Sequence, residues 1–381
     1  MFRHSKELLC DLLFDHSVSG ICCVAQILKT NKIEIFNWIV MKILLVGSFN
    51  HPMYAPAFET GFKALGHDVV SIDYEKYLYG EGKLNSILTR IQNRLHLGFK
   101  LFDYNRDIIK LAKKQKPDFV FLYRCYNIWF STVKKLKDLG IFIFTYNNDD
   151  PFSGTPNLGY YRNFHKILRL SDVNFVYRKK NISDYESVGA RNIHVLLPYY
   201  IEKNNFYEPC LDSIPVAFLG HFENDGRDKY VKALVDARIP VTIFNGSDWE
   251  SAPLYEDIKS CIKQGKRGTD YNHTINQCEI AIVFLSKLNS DTYTRRCFEI
   301  PATKTLMLSE YTEDLDKMFP SDECAVYFKT PVEMVEKSRY LLSQPEEIKR
   351  IAENGYQRLK VLGGSEVDRC RQIVETYNTL K

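Results

Sequence analysis

The run Glu279-Ile280-Ala281-Ile282-Val283-Phe284-Leu285-Ser286, followed by Ser290-Asp291-Thr292-Tyr293-Thr294-Arg295-Arg296-Cys297-Phe298-Glu299-Ile300-Pro301-Ala302-Thr303-Lys304-Thr305-Leu306-Met307-Leu308, decides the fold class of this chain. The first run is short and unbroken in its apolar character, the pattern of a strand buried on both faces of a parallel sheet. A polar loop follows, then a short helix, then a second buried strand over 305–308. Open α/β sheets bind ligands at the carboxyl ends of their strands. Two adjacent arginines and a glutamate at such an end suit an anionic ligand that also carries hydroxyls.

The same alternation extends outward in both directions. Met41-Lys42-Ile43-Leu44-Leu45-Val46-Gly47-Ser48 reads as a first buried strand and its turn. A helix through Phe58, Phe62 and Leu65 stops at Gly66, and a strand follows over 68–72, which completes a βαβ unit. Further strands are expected over 118–123, 141–146, 174–177 and 194–198. The segment 199–215, preceded by Pro198 and containing Pro209 and Pro215, reads as a linker.

A second sheet opens at Val216-Ala217-Phe218-Leu219-Gly220, with a helix over 229–237 and a strand over 241–244 that ends in Asn245-Gly246-Ser247-Asp248-Trp249. Thr330-Pro331-Val332-Glu333 is a capping box with proline at the first helical position. The helix from Pro345 carries Ile348, Ile351, Ala352, Tyr356 and Leu359 at helical spacing and ends at Gly363-Gly364. The expected class is therefore α/β with two Rossmann-like domains. Residues 1–40 are an extension outside the fold, with a packed helical element as the alternative. Residues 41–205 form the N-terminal domain, 206–364 the C-terminal domain, and 365–381 a last helix placed to pack back on the N-terminal domain.

With 381 residues the chain can build two cores, and 45% apolar and 26% charged residues describe a folded protein. A net charge of +4 is too small to imply a nucleic-acid partner. None of the ten cysteines falls in a C-x-x-C pair, so they read as reduced cytosolic thiols. No apolar run reaches the ~18 residues of a membrane span. Val18 to Leu28 is short and interrupted by Gln26, a poor signal peptide. The expected location is cytoplasmic, peripheral at the inner face of the membrane at most. The first turn lacks G-x-G-x-x-G, which removes the main support for a dinucleotide-dependent oxidoreductase or epimerase.

Between 83 and 116 nine Lys or Arg face only Asp103 and Asp107, a local excess of +7. Leu84, Ile87, Leu88, Ile91 and Leu95 recur at helical spacing there. One reading is a core-packed helix with a solvated basic face. The other is contact with an anionic membrane surface or a lipid-linked phosphate.

Three further places stand at expected ligand edges. Asn147-Asn148-Asp149-Asp150-Pro151-Phe152 follows a strand and is either a turn or a polar site contribution. His51 follows the first strand, as a turn residue or a base. Arg227 lies near a helix start, either to meet phosphate or to pair with Asp225 or Asp228.

Taken together, Phe218-Leu219-Gly220-His221-Phe222-Glu223-Asn224-Asp225-Gly226-Arg227, Thr294-Arg295-Arg296-Cys297-Phe298-Glu299-Ile300-Pro301-Ala302 and Ile351-Ala352-Glu353-Asn354-Gly355 resemble the spore maturation protein CgeB-type glycosyltransferases of the GT-B superfamily. The resemblance covers roughly 214–375, extends more weakly over 41–200 through Asn148-Asp149-Asp150-Pro151, and is absent over 1–40. It implies two parallel-sheet domains facing across a cleft, with a nucleotide-sugar donor in the second. Glu299 is then expected on the ribose hydroxyls, with an ion pair to Arg295 or Arg296 as the alternative. Arg296, Arg295, Arg227, Gly220, His221 and Lys304 are expected around the donor, and Asp149, Asp150 or His51 as the base.

The acceptor would be a glycan, a lipid-linked molecule or a protein, in cell-surface or spore glycan synthesis. No cofactor or metal is expected. Many relatives have glycine about five residues after the glutamate, where this chain has Thr303-Lys304. A binding module without catalysis remains the other reading.

Overall fold

The computed structural model describes residues 40–78, 83–153 and 161–381; the extension expected over 1–40 lies outside them apart from Val40. Six parallel strands form the first sheet: β1 (Lys42–Gly47), β2 (Asp68–Asp73), β3 (Phe119–Tyr123), β4 (Phe142–Asn147), β5 (Val173–Val176) and β6 (Ile193–Val195), in the order β2-β1-β3-β4-β5-β6. The second sheet holds β7 (Ile214–Leu219), β8 (Val241–Phe244), β9 (Ile262–Lys263), β10 (Cys278–Val283), β11 (Leu306–Glu310) and β12 (Val326–Phe328), in the order β12-β11-β10-β7-β8-β9. All pairings are parallel, with Leu44 beside Val70 and Val120, and Ala281 beside Ala217 and Met307. Buried Ile, Leu, Val and Phe occupy both faces of the central strands, which is why these runs are continuous and not alternating.

Each sheet reverses its winding direction once, between β1 and β3 in the first and between β7 and β10 in the second. Crevices at such points, outside the carboxyl ends of the strands, are the binding positions of open α/β sheets. The turn at Gly47 and the loop with His51 leave β1, and Arg124 leaves β3. Gly220 and His221 leave β7, and the loop to Arg296 leaves β10.

The last helix, Glu366–Asn378, starts with a complete capping box between Ser365 and Asp368. It packs on the helix Ala55–Ala64 of the N-terminal domain. A Cβ at Gly61 would sit 2.6 Å from Cys370 Sγ, so glycine is what lets these helices approach. Tyr377 adds a hydrogen bond from its hydroxyl to Asp118 (3.2 Å), and Gln372 donates to the carbonyl of Val195 (2.9 Å).

Three expectations change. The linker over 199–215 begins inside the core, because Tyr199, Tyr200 and Ile201 are buried in one apolar cluster with Phe58, Tyr293 and Cys370. Asn245 to Trp249 does not simply end a strand. Gly246–Trp249 forms a helical turn that buries Trp249, whose indole N–H donates to the carbonyl of Gly220 (3.0 Å). Finally, the apolar stripe of the helix Lys83–Leu95 is not core-packed at Ile87, Ile91 and Leu95, all of which are exposed. Among the described residues no disulfide is present, and no helix is long and apolar enough to cross a membrane.

Candidate donor and acceptor site

Glu299 lies on the short helix Arg296–Ala302, which also contains Pro301. Only 7% of Glu299 is exposed. Its carboxylate accepts the hydroxyl of Tyr271 (2.9 Å) and faces Arg295 Nε at 4.0 Å. Burial raises its pKa, with Arg295, the Tyr271 hydrogen bond and Arg296 opposing that shift. Both the ion pair and a carboxylate edge at the switch point are therefore present. Tyr271, on the helix Gly268–Gln277, is the partner that no sequence pattern marked.

The two arginines differ in direction. Arg295 reaches the N-terminal domain, where its Nη2 donates to the carbonyl of Met53 (2.7 Å) and its guanidinium stacks over Tyr199 at 4.4 Å. Arg296 turns toward β7, donating Nη1 to the carbonyl of Leu219 (3.3 Å) over the ring of Phe218. A Cβ at Gly220 would lie 2.9 Å from Arg296 Nη1 and 2.6 Å from Phe218 Cζ, so Gly220 is the residue that admits Arg296. Among the described residues, Arg295 Nη1 and Arg296 Nε are buried without a hydrogen-bond partner. Such groups are rare in folded proteins because each forfeits its hydration without replacement.

Arg227 takes the pairing alternative, with Asp225. It is 2% exposed, and its Nε and Nη2 donate to Asp225 (2.9 and 2.6 Å) while Nη1 donates to the carbonyl of His221 (2.7 Å). The guanidinium is thus spent on the loop that it ties together. His221 is half-exposed, its Nε2 3.0 Å from Glu223 Oε1. Burial pushes Glu223 upward, but hydrogen bonds from His221 and Ser286 and the charge of Arg227 outweigh it and lower its pKa.

Lys304 also points away from the expected phosphates. It has φ +57°, the left-handed conformation that glycine adopts freely, at the end of the Glu299 helix. Its ammonium pairs with Glu353 (2.8 Å) between the rings of Tyr207 and Tyr356. The backbone turns at this position, and the lysine side chain lies against Glu353.

On the facing edge, Asp149 Oδ2 accepts Arg124 Nη2 (2.6 Å) and the hydroxyl of Tyr126 (2.9 Å). Arg124 stacks over Tyr54 at 4.6 Å, and the imidazole of His51 meets Tyr54 edge-on at 5.5 Å. These residues form one group, with His51 exposed at its rim. Asp150 does not join them. It is fully buried, accepting the backbone N–H of Phe152 (3.0 Å) and the amide of Asn181 (2.9 Å), with Lys180 Nζ at 2.8 Å. The two adjacent aspartates point apart, one into a turn and one toward the site.

The carboxyl-end loops of both sheets meet through buried contacts. Arg178, at the end of β5 and 3% exposed, forms an ion pair with Asp291 and donates Nη1 to the carbonyl of Asn148 (3.1 Å). Tyr293 donates its hydroxyl to the carbonyl of Tyr177 (2.6 Å). Burial raises the pKa of Asp291 while Arg178 opposes it. The sequence offered a signal for Arg178 and Arg124 in their place directly after strand ends, but nothing that chose their partners. Elsewhere, Glu208, Cys210 and His273 bring potential metal-ligand atoms within 4.8 Å of one another, a grouping that sequence spacing does not reveal.

Comparison with known proteins adds the following. Residues 227–374 match a family model described as glycosyl transferase-like. No curated protein matches the chain. Among solved structures, a glycosyltransferase from Rickettsia africae ESF-5 is similar at 14% identity and a TM-score of 0.64, covering 90% of this chain and 99% of that one. Sucrose-phosphate synthase from Thermosynechococcus elongatus is similar at 12% identity and a TM-score of 0.63, covering 89% and 99%. HepE from Anabaena, solved in complex with UDP-glucose, is similar at 11% identity and a TM-score of 0.59, covering 89% and 100%. The chain has the GT-B fold of two Rossmann-like domains, and the glycosyl transferase-like match falls on the part that holds the second sheet.

Proposed function

We propose that this protein is a hexosyltransferase-type enzyme that moves a sugar from a nucleoside diphosphate sugar to a hydroxyl acceptor. The observation that carries the reading is the buried carboxylate of Glu299 at the β7/β10 switch point, beside Arg295 and Arg296 with their unpartnered N–H groups. A carboxylate accepts two ribose hydroxyls at once, and guanidinium N–H groups suit a diphosphate. Charge grows on the diphosphate as the glycosidic bond breaks, so donors fixed beside it lower the barrier. The glycosyl transferase-like match over 227–374 and the HepE complex with UDP-glucose support testing UDP-sugars first.

On the acceptor side Asp149 is held by two donors, whereas among the described residues the exposed imidazole of His51 makes no hydrogen bond and meets the ring of Tyr54 edge-on. His51 is the better placed base for an inverting transfer. His51→Ala should then lower kcat by about 10²-fold or more with an unchanged donor-induced thermal shift; an unchanged kcat removes this role. The CgeB-like stretches support a cell-surface or spore glycan acceptor, made at the cytoplasmic side. No cofactor or metal is assigned to the transfer.

A screen of nucleotide-sugars by thermal shift and by nucleoside diphosphate release tests the proposal, repeated on Glu299→Gln. Donor-dependent release that the variant loses supports transfer. Binding without release, with or without added glycan acceptors, identifies a binding module. No shift with any donor overturns the donor site.

A further inference from the structure

The helices Lys83–Leu95 and Phe99–Gln115 carry an exposed apolar surface. Ile87, Ile91 and Leu95 are exposed on the first, and Leu97 (66%), Phe99 (93%) and Phe102 (56%) follow at the junction and on the second. Disorder of the junction does not account for this exposure. Trp129 Nε1 donates to the carbonyl of His96 (3.2 Å), His96 Nδ1 lies 2.7 Å from Asn127 Oδ1, and the backbone N–H of Leu101 donates to Gln92 Oε1 (3.2 Å). The junction is pinned, and its apolar side chains are held outward.

Next to it, a groove of about 570 Å³ runs between the helices Phe99–Gln115 and Phe130–Asp138. Phe102, Ile109 and Trp129 supply its apolar wall, and Arg106, Lys110, Lys113 and Lys135 its cations. Arg106 is occupied by Asp103 (2.7 Å) and Asp107. Lys110, Lys113 and Lys135 have no carboxylate partner among the described residues. Within 83–116 those two aspartates are the only acids against nine cations.

Exposed aliphatic and aromatic side chains beside unpaired lysines match an anionic bilayer, whose headgroups attract the cations while its acyl boundary takes the apolar groups. The aliphatic character of Ile87, Ile91, Leu95 and Leu97 fits acyl chains better than nucleobases, which call for stacking rings. Leu97 and Phe99 also stand near the carboxyl end of β3, since Trp129, which follows that strand, donates its indole N–H to the carbonyl of His96 and its backbone N–H to Asn105 Oδ1. The hydroxyl-accepting edge with His51 and Asp149 lies on that same side.

We propose that the N-terminal domain docks on an anionic membrane surface through Ile87, Ile91, Leu95, Leu97 and Phe99, with Lys110, Lys113 and Lys135 taking lipid phosphates. The docked surface holds the acceptor edge at the bilayer.

Flotation of the full chain with phosphatidylcholine vesicles, and with vesicles also containing phosphatidylglycerol, tests this without any donor. Binding is expected only with the anionic lipid and should weaken as salt rises. Each of Lys110→Ala, Lys113→Ala and Lys135→Ala should lower partitioning about fivefold. Leu97→Ser with Phe99→Ser should lower it at unchanged charge, and unchanged melting curves verify that these surface variants fold. Inorganic phosphate at matched ionic strength should not compete.

Absence of anionic-lipid dependence, or binding that survives both sets of variants, overturns the proposal, as does a shift of oligomeric state by these variants without vesicles. Because the donor-induced shift is read separately, failure here leaves the donor site standing, and the reverse also holds.

Discussion

The two sheets present charged side chains at equivalent edges and treat them differently. At the N-terminal edge, Arg124 and Tyr126 satisfy Asp149, while Asn181 and a backbone N–H satisfy one oxygen of Asp150, whose other oxygen has the ammonium of Lys180 beside it but, like Asn147 Nδ2, no hydrogen bond. At the C-terminal edge, Arg227 is equally satisfied, but Arg295 and Arg296 each keep one buried N–H without a partner. An unsatisfied buried donor costs about 1–3 kcal/mol. Ligand oxygens that accept these N–H groups would offset that cost. The difference lies in charge: the spare buried groups of the second edge are two guanidinium N–H groups, which suit an anion, whereas those of the first are one amide N–H and one carboxylate oxygen, which together do not.

The largest break in this comparison comes from exchanging the satisfied arginine for an apolar residue. Arg227→Ala removes the guanidinium from Asp225 and Glu223, leaving Asp225 with Lys287 only at its backbone carbonyl, and should destabilise the protein by about 3–5 kcal/mol in chemical denaturation. If stability is kept but donor binding is lost, Arg227 contacts ligand and its loop-tying role is wrong. Arg296→Ala should behave in the opposite way. It removes a group already short of one partner, so stability should change little, while kcat falls about 10²- to 10³-fold in a nucleoside diphosphate release assay. Equal losses of stability in both variants would erase the distinction between the two arginines.

Much of this layout could be read from residues. Buried runs such as 280–285 announced parallel strands, and the alternation with helices announced two sheets, because hydrophobic continuity is a local property. The edge positions of Glu299, Arg295, Arg296 and His51 followed from strand ends. What stayed hidden was which of several possible partners a side chain takes. Nothing near Arg227 in the chain tells whether its guanidinium turns to Asp225 or to a phosphate, and adjacent Asp149 and Asp150 look alike until the turn sends them apart. The helical spacing of Ile87, Ile91 and Leu95 is equally compatible with a core or a surface, since periodicity defines a face but not what covers it.

Glu299 sharpens the comparison through pH. Its folded pKa is raised by burial, so its contribution to the stability of the unliganded protein is full below the ordinary glutamate value. That contribution is lost as pH rises through the raised value. Ribose hydroxyls favour the ionised carboxylate, so affinity for UDP-glucose should fall as pH is lowered through the same window. Glu299→Gln should weaken binding by about 10- to 100-fold, the worth of hydrogen bonds to a charged group, and should remove that acid limb. Calorimetric titration across pH reads both effects. A limb that persists in Glu299→Gln assigns the proton to another group, with Asp291 next in line because burial raises it too.

The smallest expected effect separates backbone from side chain at Lys304. Lys304 holds a left-handed φ of +57°, which costs a residue with a Cβ about 1–2 kcal/mol relative to glycine. Its pair with Glu353 is partly exposed on both sides and contributes about 0–1 kcal/mol. Glycine also brings a larger entropy loss on folding, roughly 0.5–1 kcal/mol. Lys304→Gly should therefore leave stability within about 1 kcal/mol of the parent, and donor affinity unchanged, because the ammonium contacts Glu353, Tyr207 and Tyr356 and no residue of the donor edge. A loss of donor affinity in this variant, with stability intact, would mean that the lysine swings to the diphosphate when donor binds. The second domain would then supply a mobile cation in addition to its two fixed arginines, and the contrast in charge between the two edges would no longer rest on their spare buried groups alone.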